Sequence, residues 1–338
     1  MSRRANEKVE NHFQEGYRVQ VVGSAGLTGS RIVPPEEVDR AFNMPIGKLR
    51  KRAGIESLAY ATAEETEITM GMRAAKEAIE ASSCDARDLD WIIATSETFH
   101  DYPSLAAQLH SHLKVSENCG ALDVGGACLG LLNALSVAKA FIASGQAKCI
   151  CVVTADVHSR TLTPDRVAGE FGGLFGDGAS AFILRGSEAG EVTKHHSLGS
   201  FFFGCVGQYA GAIRVSDDKD GGLHLKFDGE ALSRAAITRM EKTITEVEQR
   251  SGIQRSNVGA FATHQPNPRL VNLLANHCEV SAELFPPVAK TAGNLGSSTC
   301  GVALHRALQM AAAKPSHGKA IFLASLGPGL VYGGGWLI

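Results

Sequence analysis

Apolar residues fall along this chain in two alternating textures. In "EITMGMRAAKEAIEAS" (67–82) and "GEALSRAAITRMEKTITEVEQRSG" (229–252) they recur at three- and four-residue intervals, the spacing of a helix with one buried face. Each segment leads through a polar stretch, "DARD" or "QRSN", into a short apolar run ending in Ala-Thr: "LDWIIATSE" (89–97) and "VGAFATHQ" (258–265). Downstream, "ACLGLLNALSVAKAFIASGQAKCICVVTAD" and "GSSTCGVALHRALQMAAAKPSHGKAIFLASLG" each read as a small-residue helix start, a long helix, a turn and a buried strand. Helix–strand–helix–strand is therefore predicted twice, in halves 1–185 and 186–338 that meet near residues 185–195. The spacing agrees, since Thr95 precedes Cys128 by 33 residues and Thr263 precedes Asn294 by 31. Alternation of this kind predicts an α/β fold whose sheets are covered on both faces.

Glycine sharpens the picture. The chain has 37 glycines in 338 residues, about 11% against a usual ~7%. They gather in "GGACLG", "GGLFGDG", "GNLG" and "LGPGLVYGGG", which suggests a crowded centre where backbones converge. Net charge is −2, so no bulk field draws the protein to nucleic acid or an anionic membrane. The opening "MSRRANEKVENHFQEGYRVQVVGS" lacks the apolar run of a secretory signal, and no stretch reaches the ~18–20 apolar residues of a membrane span. A cytoplasmic location is expected, where thiols stay reduced. The eight cysteines then read as packing, metal or catalytic groups. Metal ligation is disfavoured: no CxxC occurs, and His110 and His112 lie two apart in a helical pattern, where side chains diverge.

Cys128 stands out because it follows Gly125-Gly126 and begins the helical pattern "CLGLLNALSVAKAFIASGQ". Unpaired amides at a helix start lower a thiol's pKa, so the position suits a nucleophile; a buried small residue fits it equally well. His264 follows the end of an apolar strand, before Pro266 and Pro268, which are expected to end regular structure. Asn294 sits between glycines ahead of a helix, as a site residue or as a left-handed turn residue. Asp177 in "FGDGAS" reads as a structural turn whose carboxylate accepts backbone N–H bonds.

Around these residues the chain resembles the thiolase superfamily, and within it the ketoacyl-acyl-carrier-protein synthase III group of condensing enzymes. The resemblance rests on "RAGI" (52–55), "YPSLAAQLHSHL" (102–113), "GGACLG", "FGDGASAFIL" (175–184), "THQPNPRL" (263–270), "AGNLGSS" (292–298) and the terminal "LGPGLVYGGGWLI", in order and over nearly the whole length. It implies a five-layer αβαβα fold of two pseudo-duplicated halves, a homodimer, and a site of Cys128, His264 and Asn294. Cys128 would hold an acyl group as a thioester, and His264 and Asn294 would stabilise the enolate formed when a malonyl-type thioester loses its carboxylate. The substrates would be coenzyme A or acyl-carrier-protein thioesters, with no resident cofactor and no metal. The resemblance also assigns substrate-contacting roles to Arg52, Tyr102, Arg269, Gly327 and Gly329. Tyr102 would reach across the dimer to close the partner's acyl pocket.

The pattern departs from fatty-acid-initiating members in three places. Lys48 stands where those members stack a tryptophan on adenine. Asn276 and His277 replace a basic pair that meets the carrier protein. Pro328 sits in the middle of the glycine triplet that supplies an oxyanion donor, and proline has no N–H. Non-decarboxylative condensation or acyl transfer in a specialised pathway is the alternative. A Cys-His-Asn hydrolase is remote because no "CGSCW"-type word occurs, an inactive scaffold conflicts with the intact trio, and "VVGSAGLTGS" only approximates a dinucleotide-binding motif.

Overall fold

The computed structural model describes residues 17–167, 169–188, 195–217, 223–227, 229–313 and 320–338. The N-terminal lead that was read for a signal, residues 1–16, and part of the expected junction near 185–195 lie outside them.

Two main sheets carry the architecture. The first places its strands in the order Gly120–Asp123, Trp91–Thr95, Cys149–Val157, Asp177–Glu188, Tyr17–Thr28 and His196–Ser197. The second runs Val258–Thr263, Ala320–Gly327, Val331–Leu337 and Phe202–Cys205. The same motif occurs in both. Trp91–Thr95 lies parallel to Cys149–Val157, which is followed by the antiparallel Asp177–Glu188. Likewise Val258–Thr263 lies parallel to Ala320–Gly327, which is followed by the antiparallel Val331–Leu337.

Period-2 side-chain alternation explains how these strands build layers. Every residue of Cys149–Val157 is buried. Ile150 and Val152 point into a central core, whereas Cys149, Cys151, Val153, Ala155 and Val157 point to the opposite face. That opposite face is covered by the helices Glu67–Ser82 and Leu105–Leu113, through Met70, Ala74, Ala78, Leu105 and Leu109. In the second sheet Ile321 and Leu323 face the same central core, while Phe322 and Ala324 pack on the far side with Met240, Ile244 and Leu274 of the helices Gly229–Ser251 and Pro268–His277. Between the sheets lie the helices Gly130–Ala143 and Ser297–Ala313, with Leu131, Leu132, Leu135, Val302 and Leu304 buried. Helix, sheet, helix pair, sheet, helix gives the five layers αβαβα.

Local chemistry sets several boundaries. Thr66 and Thr69 form a reciprocal capping box that starts Glu67–Ser82. Asn267 accepts from the Leu270 N–H at 2.9 Å, and Pro268 occupies the first helical position. Regular structure does break over residues 264–267, around Pro266, but Pro268 begins a helix, because its missing N–H needs no partner there. Asp177 behaves as the sequence implied: fully buried, it accepts from the N–H groups of Ala61 and Ser159 and from the Ser159 hydroxyl. Among the described residues no helix is long and apolar enough to cross a membrane.

Candidate active site

Cys128 follows two unusual backbone positions. Gly126 has φ +147°, and a Cβ there would lie 2.3 Å from the Asn133 amide nitrogen. Ala127 adopts φ +48°, a left-handed conformation that is costly for any residue with a side chain. The turn delivers Cys128 into a short 3-10 segment, Ala127–Leu129, and the α-helix begins only at Gly130. Here the structure corrects an expectation. The thiol was expected to be acidified by amides at a helix start, yet it is pushed well above its ordinary range. Burial is the largest cause, followed by the facing Glu97, whose negative charge and acceptor oxygens both favour keeping the S–H proton; Asp156 adds to this. The Cys128 N–H opposes the shift but is outweighed.

One strand holds Cys128 and His264 together. At the end of Ala320–Gly327, Ser325 donates its hydroxyl to the Cys128 carbonyl at 2.7 Å, and the adjacent Ala324 carbonyl accepts the His264 N–H at 3.0 Å. His264 is 5% exposed and lines an apolar cleft with Met240, Pro266, Leu270 and Leu326. Burial lowers its pKa to about 4, so the imidazole is neutral across the neutral range. Asn294 is fastened by two backbone bonds, its N–H to the Leu174 carbonyl and its carbonyl to the Gly176 N–H. Its side-chain oxygen accepts from the Gly296 N–H (3.0 Å) and the Thr299 hydroxyl (3.2 Å). That fixes the amide orientation and leaves the NH2 to donate.

Two titratable residues that sequence reasoning missed complete the site. Glu97, in the turn after Trp91–Thr95, places Oε2 3.5 Å from His158 Nε2. Burial alone would raise the Glu97 carboxyl, but His158, with His264 and Cys128, brings it below its ordinary value. Burial works against a charged His158 as well, yet Glu97 and Asp156 raise it above 6.5. Both shifts favour the charged forms of the pair, and the His158 ring lies against Phe175 at 4.6 Å. The Asn294 loop reaches the same place: a Cβ on Gly296 would lie 2.4 Å from His158 Cε1 and 3.0 Å from the Glu97 carboxyl carbon. The only available signal was a carboxylate just beyond a buried strand end, in "ATSETF".

Asp156 is the structural tie beneath these groups. Its carboxylate accepts from the Glu97 N–H (2.6 Å), the Ser297 hydroxyl (2.7 Å), and the Ser298 N–H (2.9 Å) and hydroxyl (2.8 Å). Replacing it strands several buried donors, each costing about 1–3 kcal/mol. Asp156→Ala is expected to destabilise the fold by about 3–5 kcal/mol. Urea unfolding followed by circular dichroism checks this, and a loss under about 1 kcal/mol contradicts it.

The remaining sequence candidates sit around this centre. Gly327 approaches the Cys128 turn, since a Cβ on it would lie 3.5 Å from the Cys128 nitrogen; Gly329 takes φ +90° in the turn after Pro328. Arg52 is exposed on the π-helical turn Leu49–Ala53, and Arg269 is exposed at the start of the neighbouring helix. The two segments touch, because a Cβ on Gly54 would meet Pro268 at 3.2 Å. Lys48 pairs with Glu170 at 2.9 Å, and His277 lies 3.4 Å from Glu241. Tyr102 is 95% exposed on the single chain.

Comparison with known proteins agrees with this architecture. The 3-oxoacyl-[acyl-carrier-protein] synthase III family profile matches residues 122–202, and the C-terminal profile of the same family matches residues 249–337. Beta-ketoacyl-[acyl-carrier-protein] synthase III of Haemophilus ducreyi is 33% identical over 84% of this chain and 88% of its own length. The crystal structure of 3-oxoacyl-[acyl-carrier-protein] synthase III from Aquifex aeolicus superposes with a TM-score of 0.83 at 26% identity, covering 94% of this chain and 99% of that one. The priming beta-ketosynthase of the R1128 polyketide pathway shares the fold, with a TM-score of 0.84 at 24% identity over 95% of this chain and 96% of its own. The five layers are thus those of the thiolase fold, and the chain belongs to the 3-oxoacyl-acyl-carrier-protein synthase III family of condensing acyltransferases.

Proposed function

We propose that the protein joins an acyl thioester to a malonyl-type thioester by decarboxylative Claisen condensation, with Cys128, His264 and Asn294 as the reacting and stabilising groups. The observation that carries the reading is the tethering of Cys128 and His264 to adjacent residues of one strand, while the Asn294 loop, with its carboxamide oxygen already occupied, meets Glu97 and His158 through Gly296. Cys128 sulfur attacks the acyl carbon and the original thiol leaves, so the acyl group rests on the enzyme. The second thioester then sits with its carbonyl oxygen toward His264 and Asn294. As carbon dioxide departs, the electrons of the broken bond move into that carbonyl, and the two neutral donors stabilise the enolate oxygen. The enolate carbon attacks the acyl-Cys128 carbonyl, the carbon–carbon bond forms, and Cys128 is released.

A buried, neutral imidazole suits this step because it donates a hydrogen bond without being consumed as an acid. The Cys128 N–H is one donor for the acyl oxyanion, and Gly327 supplies close backbone approach beside it. Coenzyme A or acyl-carrier-protein thioesters are the substrates in this reading, with Arg52 and Arg269 meeting the phosphate-bearing handle on adjoining segments. The working unit is a homodimer of two-half subunits (1–185 and 186–338), in which the exposed Tyr102 covers the partner's acyl pocket. Lys48, ion-paired with Glu170 where an adenine-stacking tryptophan is expected, favours a specialised product such as a polyketide primer over routine fatty-acid initiation.

The test is to incubate the enzyme with an acyl thioester and a malonyl thioester while following product and carbon dioxide together. One carbon dioxide per 3-oxoacyl thioester is expected. Product formed without carbon dioxide refutes decarboxylation and favours the non-decarboxylative alternative.

A further inference from the structure

The raised thiol poses a problem for the chemistry just described, because a protonated sulfur is a poor nucleophile. Some group has to take the proton. His264 is already assigned to the enolate oxygen and is not among the groups that act on the Cys128 thiol. Glu97 is differently placed. It follows the strand end Thr95 on an N–H anchored to Asp156, its side chain is only 17% exposed, and it faces the Cys128 thiol. One carboxylate oxygen, Oε2, lies against His158, while Oε1 is buried with no hydrogen-bond partner among the described residues. A buried carboxylate oxygen left without a donor is costly unless function retains it. Gly296 keeps the space open, since any side chain there would run into the carboxyl carbon.

Building on the role proposed for Cys128, we propose that Glu97 is the proton acceptor for its thiol, with His158 as the positioning cation. As sulfur attacks the acyl carbon, the S–H bond breaks and its proton passes to the Glu97 carboxylate. When the tetrahedral intermediate collapses, the carbon–sulfur bond to the departing handle breaks and Glu97 returns the proton to that sulfur. No net proton is gained or lost, and no co-reactant is needed. His158 holds the ionised carboxylate ready, so the pair does for the thiol what a nucleophile's partner base does elsewhere. The charged and titratable groups facing Glu97 are Cys128, His158, Asp156 and His264. All belong to the site.

Glu97→Gln separates this role from a structural one, because two readouts move in opposite directions. Removing the negative charge lets the thiol ionise more easily, so its pKa, read from the pH dependence of iodoacetamide alkylation, falls. Acyl loading of Cys128, followed by rapid-quench intact-mass spectrometry with a short acyl-coenzyme A, slows by about a hundredfold or more. A variant that loads as fast as, or faster than, the native enzyme overturns the inference, and so does an unchanged alkylation profile. A native enzyme that loads no acyl group refutes the proposed function instead. Where Glu97→Gln melts early, His158→Gln carries the test: without the cation the carboxylate binds its proton more readily, so the acid limb of acyl loading moves to higher pH. An unmoved limb overturns the inference.

Discussion

Cys128→Ser is expected to lower acyl loading by roughly a thousandfold or more while leaving the fold intact. Serine occupies nearly the same volume, so the buried turn and the Ser325 hydroxyl on the residue-128 carbonyl are retained. What is lost, on the proposed role of Cys128, is the nucleophile, since a hydroxyl gives up its proton far less readily than a thiol and is intrinsically weaker at neutral pH. Losses at covalent nucleophiles elsewhere reach about a millionfold, so a thousandfold is a conservative floor. Single-turnover intact-mass measurements check the rate. Cys300→Ser is the control: Cys300 is fully buried and directs its thiol to the Ala262 carbonyl at 3.2 Å, and its replacement is expected to leave loading within severalfold of native.

His264→Ala and Asn294→Ala are expected to spare loading and to slow carbon dioxide release by about a hundred- to a thousandfold each. In the proposed mechanism each removes one donor from the enolate oxygen, a loss of about 3–4 kcal/mol of transition-state stabilisation. The Asn294 loop stays fastened in its variant because the backbone bonds to Leu174 and Gly176 do not involve the side chain. Release is measured on enzyme already acylated, so that the first half-reaction does not obscure the second. The pH dependence has a definite sign. His264 is neutral above about pH 4 because burial disfavours the imidazolium. Carbon dioxide release from acylated enzyme is therefore expected to show no limb from His264 between pH 8 and 5, and a limb near the ordinary 6.5 that disappears in His264→Ala contradicts this.

These predictions draw on features of very unequal legibility. The layers were readable because each strand alternates between two cores: the unbroken apolar run of Cys149–Val157 can only be a strand buried on both faces. Glu67–Ser82 matched its predicted span because its cap and its apolar face are both local. Gly130–Ala143 was legible as a long helix, and its place between two sheets, found only in the structure, suits "LLNALSVAKAFIA", which is apolar almost all round. Pro268 misled because proline breaks a helix interior but starts one when Asn267 caps it.

The electrostatics of Cys128 could not be read at all. Position at a helix start argues for a lowered pKa, and burial against Glu97 reverses the sign. Glu97 and His158 are 61 residues apart and belong to no motif, so only the tertiary structure brings them together. A carboxylate after a strand looks in sequence like any polar turn residue. What distinguishes it is its burial, an unpaired oxygen and a glycine that leaves it room.

The central claim is that one sulfur among eight cysteines carries the acyl group. Peptide mapping by mass spectrometry tests it most directly, on enzyme quenched in acid after reaction with an acyl thioester. The account predicts a single acyl adduct on the peptide containing Cys128, discharged when a malonyl thioester is added before quenching. An adduct on any other cysteine, or one on Cys128 that survives the malonyl chase with carbon dioxide still released, contradicts it.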